Sequence, residues 1–110
     1  MQQDGLWVHN GCFNTFEKGK LKTHFDDHGA EFGTSSSAEY LKMAKEFADM
    51  SEGVFQTGQV GNIFIKYEEA TRKVFVGNVK TKEIRTFYVA KEGVENPFQE
   101  AMDVAKLKSK

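Results

Sequence analysis

Asn62-Ile63-Phe64-Ile65-Lys66-Tyr67-Glu68 opens the part of the chain whose reading decides the fold. β-branched and aromatic residues crowd it, as a pleated, half-buried strand favours. Glu69-Ala70-Thr71-Arg72 then turns the chain. Lys73 to Val79 repeats the strand pattern, Lys80-Thr81-Lys82 turns again, and Glu83 to Ala90 forms the next run. Short apolar runs separated by polar turns predict an antiparallel meander. Upstream, Val54 to Val60 reads as a weaker strand interrupted by Gly58, so the sheet is expected to have three or four strands.

Outward from the meander the period changes from two to that of a helix. Ser36-x-x-Glu39 is a capping box, and a helix is expected from about Ser37 to Glu52, closed by Gly53. Tyr40, Leu41, Ala44, Phe47 and Ala48 form its apolar stripe, with Lys42, Lys45, Glu46 and Asp49 on the wet side. Leu21, His24, Phe25 and His28 place a shorter helix near residues 19–28. Pro97 suits the first position of a last helix, with Phe98, Ala101, Met102 and Ala105 on its apolar side and fraying from Lys106 on. The expected fold is α+β: N-terminal helices packed on a three- to four-stranded antiparallel meander, then a C-terminal helix. The sheet's other face is left for solvent or a substrate.

The 110 residues suffice for one domain with one modest core. Hydrophobic content of 39% beside 28% charge excludes a disordered chain. No apolar run approaches 18 residues, and no basic-apolar-small leader is present, so neither a membrane anchor nor a secretion signal is expected in this piece. One cysteine, Cys12, excludes an internal disulfide framework. The net charge of −1 hides an asymmetry: residues 1–55 carry 5 Lys/Arg against 9 Asp/Glu, and residues 56–110 carry 10 against 7. The second half suits a polyanion such as RNA, although solvated strand faces are also often Lys-rich.

His24-Phe25-Asp26-Asp27-His28-Gly29 is the stretch richest in chemistry. Histidines four apart on a helix share a face, about 5–6 Å apart at Cβ. Imidazoles titrate near neutrality, so a pair can divide base and acid roles. A metal would need a third ligand, and no Cys cluster or His-Glu-x-x-His pattern supplies one. The bland alternative is a helix end, with His28 against the terminal carbonyls and Gly29 as the left-handed residue. In the last strand, Ile84, Thr86 and Tyr88 should point to one face and Arg85, Phe87 and Val89 to the other. Lys66 shares a face with Phe64, and Tyr67 with Ile63 and Ile65. Alternation does not say which face is covered. Arg85 and Lys66 suit a phosphate, and Thr86 and Tyr88 offer hydroxyl donors, while solvated surface is the ordinary fate of such side chains. No phosphate-cradling Gly loop, nucleophile elbow or paired Asp-x-Asp site occurs.

Near the N-terminus, Val8-His9-Asn10-Gly11-Cys12 resembles the Val-His-Asn end of intein-like processing domains, which precede the variable C-terminal toxins of large bacterial polymorphic proteins. Asn followed by Gly cyclises readily, and a nearby His and Cys assist self-cleavage. Gly11 between Asn10 and Cys12 departs from the intein pattern, and the stretch reads as a boundary scar. Residues 1–16 are therefore expected to be linker after a processing domain, and residues 17–110 the toxin domain.

Leu21 to Gly33, then Glu39-Tyr40-Leu41, Phe47, Tyr67-Glu68-Glu69-Ala70-Thr71 and Ile84-Arg85-Thr86-Phe87-Tyr88, is similar in order and spacing to a bacterial toxin family. Its members are the C-terminal domains of polymorphic and contact-dependent growth inhibition proteins. They resemble metal-independent ribonucleases of the barnase, EndoU, colicin D and RelE-like superfamily. The resemblance spans roughly residues 17–90, and Tyr88 stands where members often have Phe. It implies an endoribonuclease toxin that needs no cofactor or metal and cuts RNA, with tRNA the commonest substrate class. The family pattern carries onto His24, His28, Arg85 and Thr86 as catalytic residues; beside them Tyr88 is expected to join catalysis as a hydroxyl donor, and Lys66 and Tyr67 to bind substrate. A cognate immunity protein is implied, the toxin being a monomer or half of a toxin–immunity heterodimer. So is delivery from the producing bacterium's surface or secretion system into the target-cell cytoplasm. Two rivals stand beside this reading: a non-catalytic protein-binding module using the exposed sheet face, and a metal-dependent enzyme acting on another substrate such as DNA.

Overall fold

The computed structural model describes residues 13–51 and 53–108. Its elements are β1 (Thr15–Phe16), α1 (Leu21–His28) continued by a 3-10 turn (Gly29–Phe32), and α2 (Ser37–Asp49). Then come β2 (Phe55–Val60), β3 (Ile63–Glu68), β4 (Lys73–Asn78), β5 (Glu83–Val89) and α3 (Pro97–Lys108). The fold is α+β, and the four predicted strands form the meander, antiparallel throughout. No helix among the described residues is long and apolar enough to cross a membrane.

The sheet has a fifth strand that the sequence does not advertise, in the order β1-β5-β4-β3-β2. β1 runs parallel to β5, Thr15 opposite Glu83 and Phe16 opposite Ile84. Two residues show no periodicity, and their partner lies far along the chain, so local pattern cannot reveal the pairing. Phe13 and Phe16 are only 3% and 2% exposed. The folded unit thus includes residues that the sequence reading gives to the linker. Gly77 has no Cβ to meet the Phe13 ring, which would stand 2.4 Å from one. The Val8-His9-Asn10 stretch and Cys12 lie outside the described residues.

Both faces of the sheet are covered. On one, Tyr40, Ala44, Phe47 and Ala48 of α2 pack with Phe13, Phe16, Phe64, Phe75, Ile84 and Phe87. The Tyr40 hydroxyl donates to the carbonyl of Phe87, fixing helix to sheet. On the other, Ala101 and Ala105 of α3 meet Ile63, Ile65, Tyr67 and Val74, with Phe98 and Met102 packed against them. The face expected to be open therefore carries the C-terminal helix. Asn96 Oδ1 accepts the Gln99 N–H at 3.0 Å and caps α3 ahead of Pro97.

Helix ends depart from expectation in three places. Gly29 is right-handed (φ −57°), and the left-handed cap is Gly33 (φ +70°). Gly29 instead lets the Phe25 ring lie where a Cβ would sit, 2.5 Å from its nearest carbon. At α2, Ser36 Oγ accepts the Glu39 N–H as a capping box requires, but the Glu39 carboxylate reaches Ser35 instead, taking its N–H and hydroxyl at 2.8 Å. The C-terminus of α2 falls at Asp49 rather than Glu52, because Lys66 closes it. Its ammonium reaches across from β3 and donates to the carbonyls of Met50 and, at 3.4 Å, Ala48.

Candidate active site

Two departures from regular sheet create the site. β1 ends at Phe16, opposite Ile84, so among the described residues no strand lies beside the rest of β5's outer edge. The chain turns there through Glu17 and Lys20 into α1, whose backbone starts with the His24 N–H on the Lys20 carbonyl. The second departure is a β-bulge: Val76 pairs with Thr86 but Gly77 pairs with Ile84, which leaves Arg85 as the extra residue. A bulge re-aims side chains. Ile84 and Phe87, three apart, both enter the α2-side core, while Arg85, Thr86 and Tyr88 line the opposite cleft. The strict alternation expected from sequence, with Arg85 opposed to Thr86, fails here because one inserted residue shifts the phase.

The resulting cleft holds about 530 Å³. α1 supplies Thr23 and His24, and the connection before it supplies Glu17 and Lys20. Ile63 and Val76 form an apolar floor, and α3 contributes Glu100, Ala101, Val104 and Ala105 as the facing wall. His24 and Thr86, distant in sequence, stand with Nδ1 and Oγ1 3.4 Å apart. The ring of His24 stacks on Phe16 at 5.3 Å and on His28 at 6.1 Å. His28 in turn lies 5.8 Å from the ring of Tyr88. His28 therefore joins the cleft residues from behind, through ring contacts, rather than as part of the wall.

Electrostatics separate the groups. Burial, and then the neighbouring His28, lower the pKa of His24 below its ordinary 6.5, so its imidazole is uncharged and basic at neutral pH. Burial, followed by the Glu100 carboxylate, raises the Tyr88 phenol above its usual 10, which keeps it an O–H donor. Arg85 lies 3.9 Å from Glu17, both partly exposed. Such a pair is weak in water, so the guanidinium is available to an anionic ligand. The site can thus take and give protons and neutralise a developing negative charge. Among the described residues no group of three or more His, Cys, Asp or Glu side chains is placed to hold a metal ion.

No protein-family model matches this chain, and no curated protein matches it significantly.

Of the residues singled out in sequence, His24, His28, Arg85, Thr86 and Tyr88 come together. Lys66 and Tyr67 do not. Lys66 is 5% exposed on the α2 side of the sheet, its ammonium over the Phe55 ring at 4.3 Å. Tyr67 is 3% exposed in the cluster under α3. Neither lines the cleft: Lys66 reaches toward the end of α2, Tyr67 is buried under α3, and of β3 only Ile63 enters the floor. Sequence reading also missed Glu31, whose carboxylate meets His28 Nδ1 at 2.9 Å. Its position three residues after His28 is helical-neighbour spacing, but a helix that ends at Gly29 leaves it outside. Glu17, Lys20 and Glu100 carry no comparable local mark.

Proposed function

We propose that this domain is a metal-independent endoribonuclease whose cleft cleaves RNA by transesterification, as a toxin of interbacterial competition. The observation that carries this reading is the convergence of His24, Arg85 and Thr86 on one cleft, from an α-helix and a bulged strand about sixty residues apart, with the ring of His28 stacked on that of His24 behind the wall. RNA brings its own nucleophile, so the protein needs only a base, an acid and charge stabilisation. Uncharged His24 takes the proton of a 2′-OH, and the oxygen attacks the adjacent phosphorus. His28 gives a proton to the departing 5′-oxygen, leaving a 2′,3′-cyclic phosphate and a 5′-hydroxyl. Arg85 offsets the extra negative charge on the phosphoryl oxygens, and the hydroxyls of Thr86 and Tyr88 donate to them.

A folded RNA, tRNA foremost, is the proposed substrate, bound largely by shape and phosphate. The proposed partner is an acidic immunity protein that fills the cleft mouth beside Lys20 and Arg85. α3 packs on the sheet face that the rival binding-module reading takes as its docking surface.

Incubating the domain with total cellular RNA and excess chelator tests this directly. Discrete RNA fragments ending in cyclic phosphate are expected, and His24→Ala or His28→Ala should each lower the rate about 10²–10⁴-fold. RNA left intact by the folded protein would overturn the reading.

A further inference from the structure

The ring of His28 is held by a group that the mechanism above does not use. Glu31, on the 3-10 turn after α1, accepts the backbone N–H of Val89 with Oε1 at 2.8 Å. Its other oxygen, Oε2, stands 2.9 Å from His28 Nδ1. The carboxylate thus bridges the backbone of β5 to the imidazole, and both its oxygens are engaged. We propose that Glu31 is a positioning residue that holds the proton of His28 on Nδ1, so that the proton exchanged with substrate is always the one on Nε2.

The hydrogen-bond inventory enforces this. A carboxylate only accepts, so the nitrogen facing it must be an N–H. A backbone N–H only donates, so Val89 dictates that an acceptor atom faces it. The ring also lies against those of His24 and Tyr88, with centroids 6.1 Å and 5.8 Å away. With orientation and tautomer both set, Nε2 is left as the one site that gains and loses a proton. A histidine oriented by a third group is the general logic of proton-transferring pairs. The catalytic part of this proposal rests on the ribonuclease reading; the tautomer does not.

Glu31→Gln separates the two. Its amide oxygen must keep facing the Val89 N–H, which turns the NH₂ toward His28 Nδ1. Nδ1 then has to accept, and the proton moves to Nε2. The probe is the ring-nitrogen NMR spectrum of His28 in both proteins at about pH 9, where an ordinary imidazole is neutral. The expected result is Nδ1–H in the wild type and Nε2–H in Glu31→Gln. The same tautomer in both proteins would overturn the proposal. RNA cleavage by Glu31→Gln should fall about 10²–10⁴-fold at an unchanged melting temperature. Full activity in Glu31→Gln beside an inactive His28→Ala would also overturn the positioning role while leaving the ribonuclease intact. A wild type that cuts no RNA but shows the tautomer switch would remove the ribonuclease reading and support the role of Glu31.

Discussion

Replacing Lys66 by Met should destabilise the domain without touching its chemistry. The side chain keeps an unbranched apolar stem but loses the ammonium that closes the C-terminus of α2. Three contributions set the size. The hydrogen bond to the Met50 carbonyl, from a charged donor, is worth about 1.5–3 kcal/mol. The ammonium over the Phe55 ring at 4.3 Å adds about 0.5–2 kcal/mol. Against these stands desolvation: burial lowers the amine's pKa, with Asp49 pulling it back, so removing the charge recovers part of the loss. The net expectation is a cost of about 2 kcal/mol, a fall in melting temperature of roughly 8–16 °C for a domain this small. Thermal melts and RNA cleavage measured on the same preparations decide it. A Lys66→Met protein that melts with the wild type yet no longer binds or cuts RNA would refute the structural role and return Lys66 to the substrate.

Two further outcomes follow from the same geometry. Because His24 titrates below its unfolded value of 6.5, the unfolded chain binds a proton that the folded one refuses between those limits. Stability from this group is therefore unaffected above 6.5 and is lost as the pH falls from 6.5 toward the folded pKa. An NMR titration should give His24 a midpoint below 6.5 that rises in His28→Ala, since the neighbouring imidazole is the second cause of the shift; a midpoint at or above 6.5 in the wild type would contradict this. Phe47→Ala empties a site where the ring packs 5.4 Å from Phe87 and edge-on to Phe55 at 5.6 Å. It should cost about 3–5 kcal/mol in denaturant unfolding, much of a small domain's stability.

What local chemistry specifies is legible in the residues themselves. The meander shows because alternation and turn residues act over a few positions, and α2 shows because Tyr40, Ala44, Phe47 and Ala48 repeat at the helical period. Pro97 marks α3 for the same reason. His24 and His28 announce their shared face through spacing alone. What only the tertiary structure decided depends on partners far along the chain. The parallel β1–β5 pair draws Phe13 and Phe16 into the core, and nothing in a two-residue strand signals it. The bulge at Arg85 arises from how β5 registers on β4, so the side on which Arg85 stands is a property of two strands, not one. Lys66 looks like surface in its own strand and becomes a helix cap because α2 ends above it. A sequence determines which groups are present and their local period. Burial and register, which turned Lys66 inward and brought Arg85 beside Thr86, are set by long-range packing free energy that no short window contains.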